Sequence, residues 1–299
     1  MHQFLKKCLL FFASSIFLFA IVFCFFSWKN KSHLTQYKLK QNSIGVLIGD
    51  SHVQNALNDA MFKEVKNVAH FAESYFLSYY KIDLLLDANP QIQKVYLGYS
   101  YHNLSNYYDD YISGKYANAI SSEYFFMLPV FEQGQCMFWN LGSLPAYMKD
   151  SFDYGYKNIV STNNLSFMGG YENGYINTMA TKPAMDKRIK AQYYKDGTVR
   201  EFSSINLDYL NRIINLCKFK RVELCLINTP IQSYYAENVP EVYIHKYHEI
   251  ISNNHLEVID FSNLALKADC FMVDGDHVSK KGAQKTTEYF LNYFNSKKH

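Results

Sequence analysis

The feature that most restricts this chain is an uncharged run near its start, from Cys8 to Trp28, which reads CLLFFASSIFLFAIVFCFFSW. At about 1.5 Å rise per residue, a helix of this length spans roughly 30 Å, which is the thickness of the hydrocarbon core of a bilayer. Lysines flank the run on both sides, and Trp28 is typical of the membrane interface. The sequence therefore predicts one transmembrane helix within residues 1–28.

A cleaved signal peptide is the alternative interpretation of this run. Signal peptides have a shorter apolar region and end at small residues of the A-x-A type. Here the run ends in FCFFSW, and Cys24 follows Ile-Val-Phe, which does not resemble a lipoprotein cleavage site. An uncleaved anchor is therefore favoured, although lysines on both sides leave its orientation open.

The charge of the chain is unevenly distributed. The net charge is +3, yet residues 1–40 hold six lysines and no other charged residue. Without them, 24 basic residues face 27 acidic ones, so the remainder carries −3. A mildly acidic domain has no basic surface for phosphates, and we expect no nucleic-acid partner. The polar residues 29–42 are interpreted as a tether.

Neither cysteines nor histidines indicate a metal site. The six cysteines form no C-x-x-C pair, so buried free thiols are the favoured interpretation, with a single disulfide left open for an oxidising compartment. His245 and His248 share a helix face but have no third ligand nearby in the sequence. We predict no cofactor and no metal. The four cysteines outside the anchor are Cys136, Cys217, Cys225 and Cys270.

Apolar runs of strand length alternate with helical patterns at both ends of the domain, residues 43–299. Such alternation predicts an α/β fold with a parallel sheet covered by helices on both faces, in which ligands bind at the carboxyl ends of the strands. The predicted strands are 43–49, 65–72, 94–100, 221–228 and 257–262. The predicted helices are 52–62, 73–90, 206–217, 240–254 and 279–294.

The middle of the chain, about 105–200, differs from the rest. It is rich in Tyr, Asn, Gly and Ser and has weak periodicity. We interpret it as an insertion over the active edge of the sheet and not as a separate domain. Its aromatic residues either pack a cap or line a substrate cleft, and the packed cap is favoured.

Two segments carry reactive side chains. The first predicted strand ends in Gly49-Asp50-Ser51-His52, which places Ser51 on a tight turn into a helix, where free N–H groups face a developing negative charge. Asp50 and Ser51 are also ordinary helix-capping residues.

The second segment is DGDHVSKKGAQ, before the last helix. Asp274 can turn towards one imidazole nitrogen of His277 and leave the other free to accept a proton from a serine. The alternatives are a capping cluster or a fragment of a calcium loop, which here lacks further oxygen ligands.

Together the two segments resemble the SGNH (GDSL-like) hydrolase superfamily. The resemblance covers about 41–104 and 205–296 and implies a three-layer α/β/α, flavodoxin-like fold. It implies that Ser51 is the nucleophile, His277 the general base and later the general acid, and Asp274 the residue that orients the imidazole. Asp276 is interpreted as a structural or capping residue.

The resemblance also implies an oxyanion hole, and here the sequence departs from the pattern. The family uses the N–H of the nucleophile, a Gly after the second strand and an Asn after the third. After the second predicted strand this chain has Ala72 and no Gly, and after the third it has GYSYHNLS. The candidate donors are therefore Ser51, Ala72, Asn103, His102 and Ser100.

The anchor, the insertion and the closing pattern D-x-D-H-x-x-x-x-G-A resemble the membrane-anchored acyltransferase branch, such as DltD-like and AlgX/AlgJ-like proteins. This resemblance implies a bacterial inner-membrane protein with its catalytic domain outside the cytoplasm and a membrane-bound O-acyltransferase partner. It would transfer an acyl group to a hydroxyl of a cell-surface glycan or polymer. An anchored esterase and a non-catalytic scaffold subunit remain the alternatives.

Overall fold

The structure is a computed structural model that describes residues 2–34, 37–161, 165–176, 178–262 and 264–296. The strands β1 to β7 are, in order, Gly45–Ile48, Val65–Asn67, Lys94–Gly98, Tyr194–Lys195, Thr198–Val199, Glu223–Asn228 and Glu257–Asp260. The helices α1 to α12 are, in order, His2–Leu34, Ser51–Ala56, Tyr75–Ala88, Asp110–Ser113, Ser121–Tyr124, Val130–Trp139, Leu144–Val160, Lys182–Tyr193, Ser204–Lys220, Ser233–Glu237, Glu241–Asn254 and Lys280–Ser296.

Five of the strands form one parallel sheet in the order β2-β1-β3-β6-β7. Val46, Leu47 and Ile48 of β1 are fully buried, as a strand covered on both faces requires. The predicted α/β fold with a parallel sheet is confirmed. Strands β4 and β5 form a separate antiparallel hairpin.

Helices cover both faces of the sheet and complete three layers. On one face α3 packs against α9, with the rings of Phe76 and Tyr209 4.9 Å apart. On the other face α12 packs near α2, and Phe290 contacts Tyr96 of β3 at 5.1 Å. The carboxyl ends of β1, β3 and β6 meet at one edge. We call it the catalytic edge because the sequence analysis predicts the nucleophile Ser51 there.

The helix α1 is longer than the sequence predicted. Among the described residues it is the one helix long and apolar enough to cross a membrane. It continues to Leu34 and so includes residues 29–34, which the sequence analysis assigns to the tether. The reason is packing, because Asn30 and Leu34 are each 2% exposed and Phe26 contacts Phe126 at 5.5 Å.

The middle of the chain folds into helices that share the core of the sheet domain. It contains α4 to α8 and the β4–β5 hairpin. Tyr124, Phe125, Tyr147 and Phe167 are almost fully buried in the same apolar cluster as Phe76. These aromatic side chains pack a cap, as the favoured interpretation had it.

Three other local features differ from or extend the sequence analysis. The predicted strand 65–72 is shorter, since β2 ends at Asn67 and a loop follows. The predicted helix 52–62 divides into α2 and a short 3-10 helix, Asp59–Met61. The four cysteines outside α1 are buried free thiols, as favoured, and His245 and His248 are exposed on α11.

Candidate active site

Ser51 lies at the catalytic edge, at the first residue of α2. The turn from β1 into α2 needs Gly49, whose φ of 143° disfavours any side chain, and an added Cβ would lie 3.2 Å from the backbone of Gly98. Asp50 caps α2 by accepting a hydrogen bond from the backbone N–H of His52 at 2.9 Å. The turn thus presents the Ser51 hydroxyl beyond the end of the sheet.

His277 and Asp274 complete a chain of contacts from Ser51. Ser51 Oγ lies 2.9 Å from His277 Nε2, and His277 Nδ1 lies 2.8 Å from Asp274 Oδ2. Both distances lie in the range of a nucleophile, its base and an orienting carboxylate. Ser51 and His277 are only 6% and 8% exposed. Burial raises the pKa of Asp274, but the hydrogen bond and charge of His277 outweigh it, so the pKa lies below its ordinary value.

The loop that carries Asp274 and His277 is a tight turn. Gly275 has a φ of 65°, and an added Cβ would lie 2.5 Å from Met185 Sδ of α8. Asp274 Oδ1 also accepts the backbone N–H groups of Asp276 and His277, each at 3.2 Å. These bonds hold the carboxylate in place and leave its other oxygen for the imidazole.

The carboxylate of Asp50 accepts several hydrogen bonds, whereas the sequence predicts only a capping role for it. Its Oδ2 accepts hydrogen bonds from His102 Nε2 at 2.9 Å, Asn103 Nδ2 at 2.8 Å and the hydroxyl of Tyr108. Burial raises the pKa of this carboxyl, but the facing His52, His102 and Tyr108 outweigh burial and hold it far below its ordinary value. Asp50 is therefore a buried carboxylate that ties β1 to the segment after β3.

The same bonds decide what the predicted donors after β3 can do. His102 Nε2 is engaged by Asp50, and the Ser100 hydroxyl donates to Asn228 Oδ1 at 2.8 Å. Asn103 donates one amide hydrogen to Asp50 and accepts from the backbone N–H of Ser100 at 2.7 Å. Its second amide hydrogen makes Asn103 the best side-chain donor of the three.

Ala72 shows how this chain accommodates the missing glycine. It has a φ of 53°, in the left-handed region that Gly adopts at little cost and Ala does not. The next residue, Glu73, is fully buried in an ion pair with Lys81 and accepts a hydrogen bond from Tyr124 at 2.8 Å. This buried pair holds the loop after β2 in the conformation that a glycine would adopt freely.

A second buried network lies behind His277. The ring of His52 lies between two others: it stacks on His102 with centroids 4.0 Å apart and is tilted against His277 at 4.4 Å. Its Nδ1 lies 3.3 Å from Thr229 Oγ1. Its Nε2 is 3.2 Å from Asp276 Oδ2 but without hydrogen-bond geometry. Burial lowers the pKa of His52 to about 4 against the opposing charge of Asp276, so the ring is neutral at pH 7.

Asp276, interpreted from the sequence as a structural or capping residue, makes buried bonds to the insertion. It is fully buried and accepts from Arg188 Nε at 2.7 Å and Gln192 Nε2 at 2.8 Å, both on α8. Burial raises the pKa of Asp276, but the facing His52 and Arg188 hold it well below its ordinary value. Because His52 is neutral at pH 7, the guanidinium is the charge that keeps Asp276 ionised there.

The cluster of His52, His102 and Asp276 does not suit a metal ion in this conformation. Their nearest ligand atoms lie within 4.8 Å of one another. The two imidazole rings, however, are stacked with an interplanar angle of 26°. Because a metal binds in the plane of an imidazole ring, one ion cannot be shared by two rings stacked face to face.

A groove of about 530 Å³ reaches α2 at Gln54, which follows Ser51 by about one helical turn. Its lining includes Gln54 of α2, His70 of the loop after β2, and the segment 165–172 of the insertion. Lys66 and Glu172 add charged groups to the lining. A ligand with several hydroxyl groups would find hydrogen-bond partners there.

Comparisons with known proteins add little beyond the architecture. No family model matches the chain, and no curated protein matches its sequence. It is similar to a proposed platelet activating factor structure from Streptococcus pneumonia (TM-score 0.41, 14% identity, 94% of this chain and 98% of that chain). The chain is also similar to a GDSL-like lipase from Bacteroides thetaiotaomicron, with a TM-score of 0.38 and 8% identity. This match covers 88% of this chain and 92% of that chain.

A proposed acylhydrolase from Bacteroides fragilis is similar to the same extent, with a TM-score of 0.38, 9% identity, and 87% of this chain and 90% of that chain covered. At these TM-scores the similarities carry no argument about function. The interpretation of the site therefore rests on the residues themselves.

Proposed function

We propose that this chain is a membrane-anchored SGNH-type serine acyltransferase that moves an acyl group to a hydroxyl of a glycan or polymer outside the cytoplasmic membrane. The observation that carries the proposal is the contact chain Ser51–His277–Asp274, with distances of 2.9 and 2.8 Å. The anchor α1 and the polar groove beside α2 support transfer to a large hydroxylated acceptor.

In the first half-reaction, Ser51 Oγ attacks the carbonyl carbon of the acyl donor while His277 Nε2 takes the hydroxyl proton. Asp274 holds Nδ1–H and stabilises the imidazolium that forms. The carbonyl oxygen becomes an oxyanion, for which the N–H groups of Ser51 and Ala72 and the amide of Asn103 are the proposed donors. When the tetrahedral intermediate collapses, His277 gives its proton to the leaving group and the acyl group remains on Ser51 as an ester.

In the second half-reaction, an acceptor hydroxyl attacks the ester carbonyl. His277 Nε2 takes the acceptor's proton and returns it to Ser51 Oγ as the acyl–serine bond breaks. Water in place of the acceptor would give hydrolysis by the same steps.

The test measures acyl release with and without an acceptor. The full chain in detergent should cleave p-nitrophenyl acetate, and added glycan acceptors should divert the acetyl group into an acetylated glycan that mass spectrometry detects. Ser51→Ala and His277→Ala should lose both products. Ser122→Ala is the matched control, because the hydroxyl of this buried serine bonds to the nearby backbone oxygen of Asn118 and not to the site, so the variant should keep activity.

The outcomes separate the alternatives. Acetate as the sole product at every acceptor concentration would contradict transfer and leave the esterase. No product with any donor, together with equal behaviour of wild type and Ser51→Ala, would contradict catalysis altogether and leave the scaffold subunit.

A further inference from the structure

The anchor α1 is rigidly joined to the domain. Its last four turns pack against the insertion, with Phe23 and Phe125 6.0 Å apart and Phe26 and Phe152 4.9 Å apart. Ser27 Oγ lies 3.4 Å from Gln133 Oε1, and Asn30 is buried. Because one helix runs from the membrane span into this packing, the direction of α1 fixes which side of the domain faces the bilayer.

The end of α1 lies at the amino edge of the sheet, opposite Ser51. Leu34 shares a groove with Leu84 and Ala88, which belong to the last turns of α3. At the other end of α3, the hydroxyl of Tyr75 donates to the carbonyl of Gly98, where β3 ends. Helix α3 therefore runs from the catalytic edge to the amino edge. The position of each part of α1 between these two edges can be described relative to α3.

Followed back towards its start, α1 rises towards the catalytic edge. Phe23 contacts Phe125, which directly follows Tyr124. The hydroxyl of Tyr124 bonds to Glu73, the residue after Ala72 at the catalytic edge. Beyond this level Phe19 contacts Phe152 of α7, and residues 2–18 are exposed except for the half-buried Cys8. That exposed part is about 25 Å long and continues in the direction that leads from the amino edge towards the catalytic edge.

The catalytic edge also carries exposed apolar side chains. Phe71 precedes Ala72 and is 52% exposed, and Val273 precedes Asp274 and is 51% exposed. Ile176 and Met179 are 62% and 59% exposed. Their segment is joined to the loop of Asp274, since Thr181 N–H donates to the carbonyl of Val273 at 3.0 Å. We call Phe71, Ile176, Met179 and Val273 the apolar rim.

We propose that the catalytic edge faces the bilayer and that the apolar rim rests in the lipid headgroup region. Ser51 Oγ then takes its acyl group from a membrane-borne amphiphilic ester: the new ester bond forms on Ser51, the ester bond of the amphiphile breaks, and His277 passes the serine proton to the alcohol that leaves. The direction of α1 and the exposed rim support this orientation independently. Large apolar side chains grouped around a site are typical of surfaces that meet a membrane. The identity of the substrate class rests on the proposed function, whereas the orientation does not.

Orientation is tested by depth-dependent fluorescence quenching in vesicles. The chain has two tryptophans, Trp28 and Trp139, so the Trp28→Phe/Trp139→Phe double variant provides a dark background. Phe71→Trp in that background reports the catalytic edge. Phe219→Trp is the matched control, because Phe219 is 81% exposed and adjoins Lys220, which contacts Asp83 and Asp87 in the last turns of α3.

Phosphatidylcholine brominated near the headgroup should quench the Phe71→Trp variant at least about twofold more strongly than the Phe219→Trp variant, because an interfacial side chain lies within about 5–10 Å of the acyl boundary. Equal quenching of the two variants, or stronger quenching of Phe219→Trp, would overturn the proposed orientation. Circular dichroism of each variant checks that the fold is intact.

The substrate class is tested by kinetics on two ester forms. Ile176→Asp should lower the rate on a long-chain p-nitrophenyl ester embedded in vesicles, relative to the rate on soluble p-nitrophenyl acetate, by about tenfold. Phe219→Asp should not change this ratio. An unchanged ratio in Ile176→Asp would contradict a membrane-borne substrate. If wild type cleaves neither ester, the proposed function fails and the quenching result still decides the orientation.

Discussion

Arg188 provides the sharpest test of the network behind the candidate active site. It lies on α8 of the insertion and donates from Nε to Asp276 Oδ2 at 2.7 Å. Asp276 is fully buried, whereas the Arg188 side chain is 23% exposed. Arg188→Met keeps most of the apolar stem and removes the cation. The variant therefore leaves a buried carboxylate whose remaining neighbours, Gln192 and the neutral ring of His52, carry no charge.

The expected cost follows from that uncompensated charge. Breaking one partner of a buried ion pair costs about 3–5 kcal/mol, far more than a surface pair contributes. In a chain of this size each kcal/mol lowers the melting temperature by about 2–4 °C, so the melting temperature should fall by roughly 10 °C. Because Asp276 adjoins His277, the rate of ester cleavage should fall as well.

Thermal unfolding of the full chain in detergent measures the effect. Arg212→Met is the control, since Arg212 pairs with Asp208 at 2.9 Å on an exposed helix face and should cost less than about 0.5 kcal/mol. The double variant Arg188→Met/Asp276→Asn also removes the unpaired carboxylate charge. It should recover most of the melting temperature that Arg188→Met loses. If Arg188→Met is no less stable than Arg212→Met, or if the double variant is no better than the single one, the argument is wrong.

Three further predictions concern single residues of the site. Ala72→Gly should raise the free energy of unfolding by about 0.5–1 kcal/mol because it relieves a positive φ, and an unfolding midpoint below that of wild type would contradict this. Asp274→Asn should lower the kcat of ester cleavage by about 10²–10⁴ with little change in KM, because the imidazole of His277 loses its orienting carboxylate. A kinetic assay in which only KM changes would exclude that role. The pKa of His52 is lowered from 6.5 to about 4, so protonation of this ring favours the unfolded chain. The free energy of unfolding should therefore be highest above pH 6.5 and should fall by up to about 3 kcal/mol as the pH falls towards 4. His52→Asn should flatten the urea-unfolding midpoint across this range, and an equally steep fall in the variant would show that other groups cause it.

The parts of the fold that depend on local patterns could be predicted from the sequence. The central strands β1 and β3 are short apolar runs whose residues are mostly buried, so composition alone locates them to within a few residues. Ser51 and the Asp274–His277 pair were located in the same way, because a strand-to-helix turn and a three-residue spacing are local properties. That the first and last segments meet was implied by the resemblance to a family.

The contacts that depend on distant segments could not be predicted. Arg188 and Asp276 are 88 residues apart, and nothing in the spacing of α8 indicates a buried cation. Asp50 was predicted only as a capping residue. Its bonds to His102 and Tyr108 form because the segment after β3 and the start of the insertion fold back over the end of β1.

The left-handed backbone of Ala72 could not be predicted either, because an alanine in a sequence does not indicate a positive φ. Two buried partners, Glu73 and Lys81, hold it there. The helices of the insertion could not be predicted because aromatic residues on several of their faces obscure the helical period.

The most direct test of the central claim is whether Ser51 becomes covalently modified. The full chain is treated with a fluorophosphonate probe, digested, and the mass of the Ser51 peptide is measured. A serine that lies 2.9 Å from the imidazole of His277 should be phosphonylated in wild type, and labelling should disappear in Ser51→Ala and fall strongly in His277→Ala. A wild-type protein that stays unlabelled under conditions that label a control serine hydrolase, or labelling that persists in Ser51→Ala, would contradict the account.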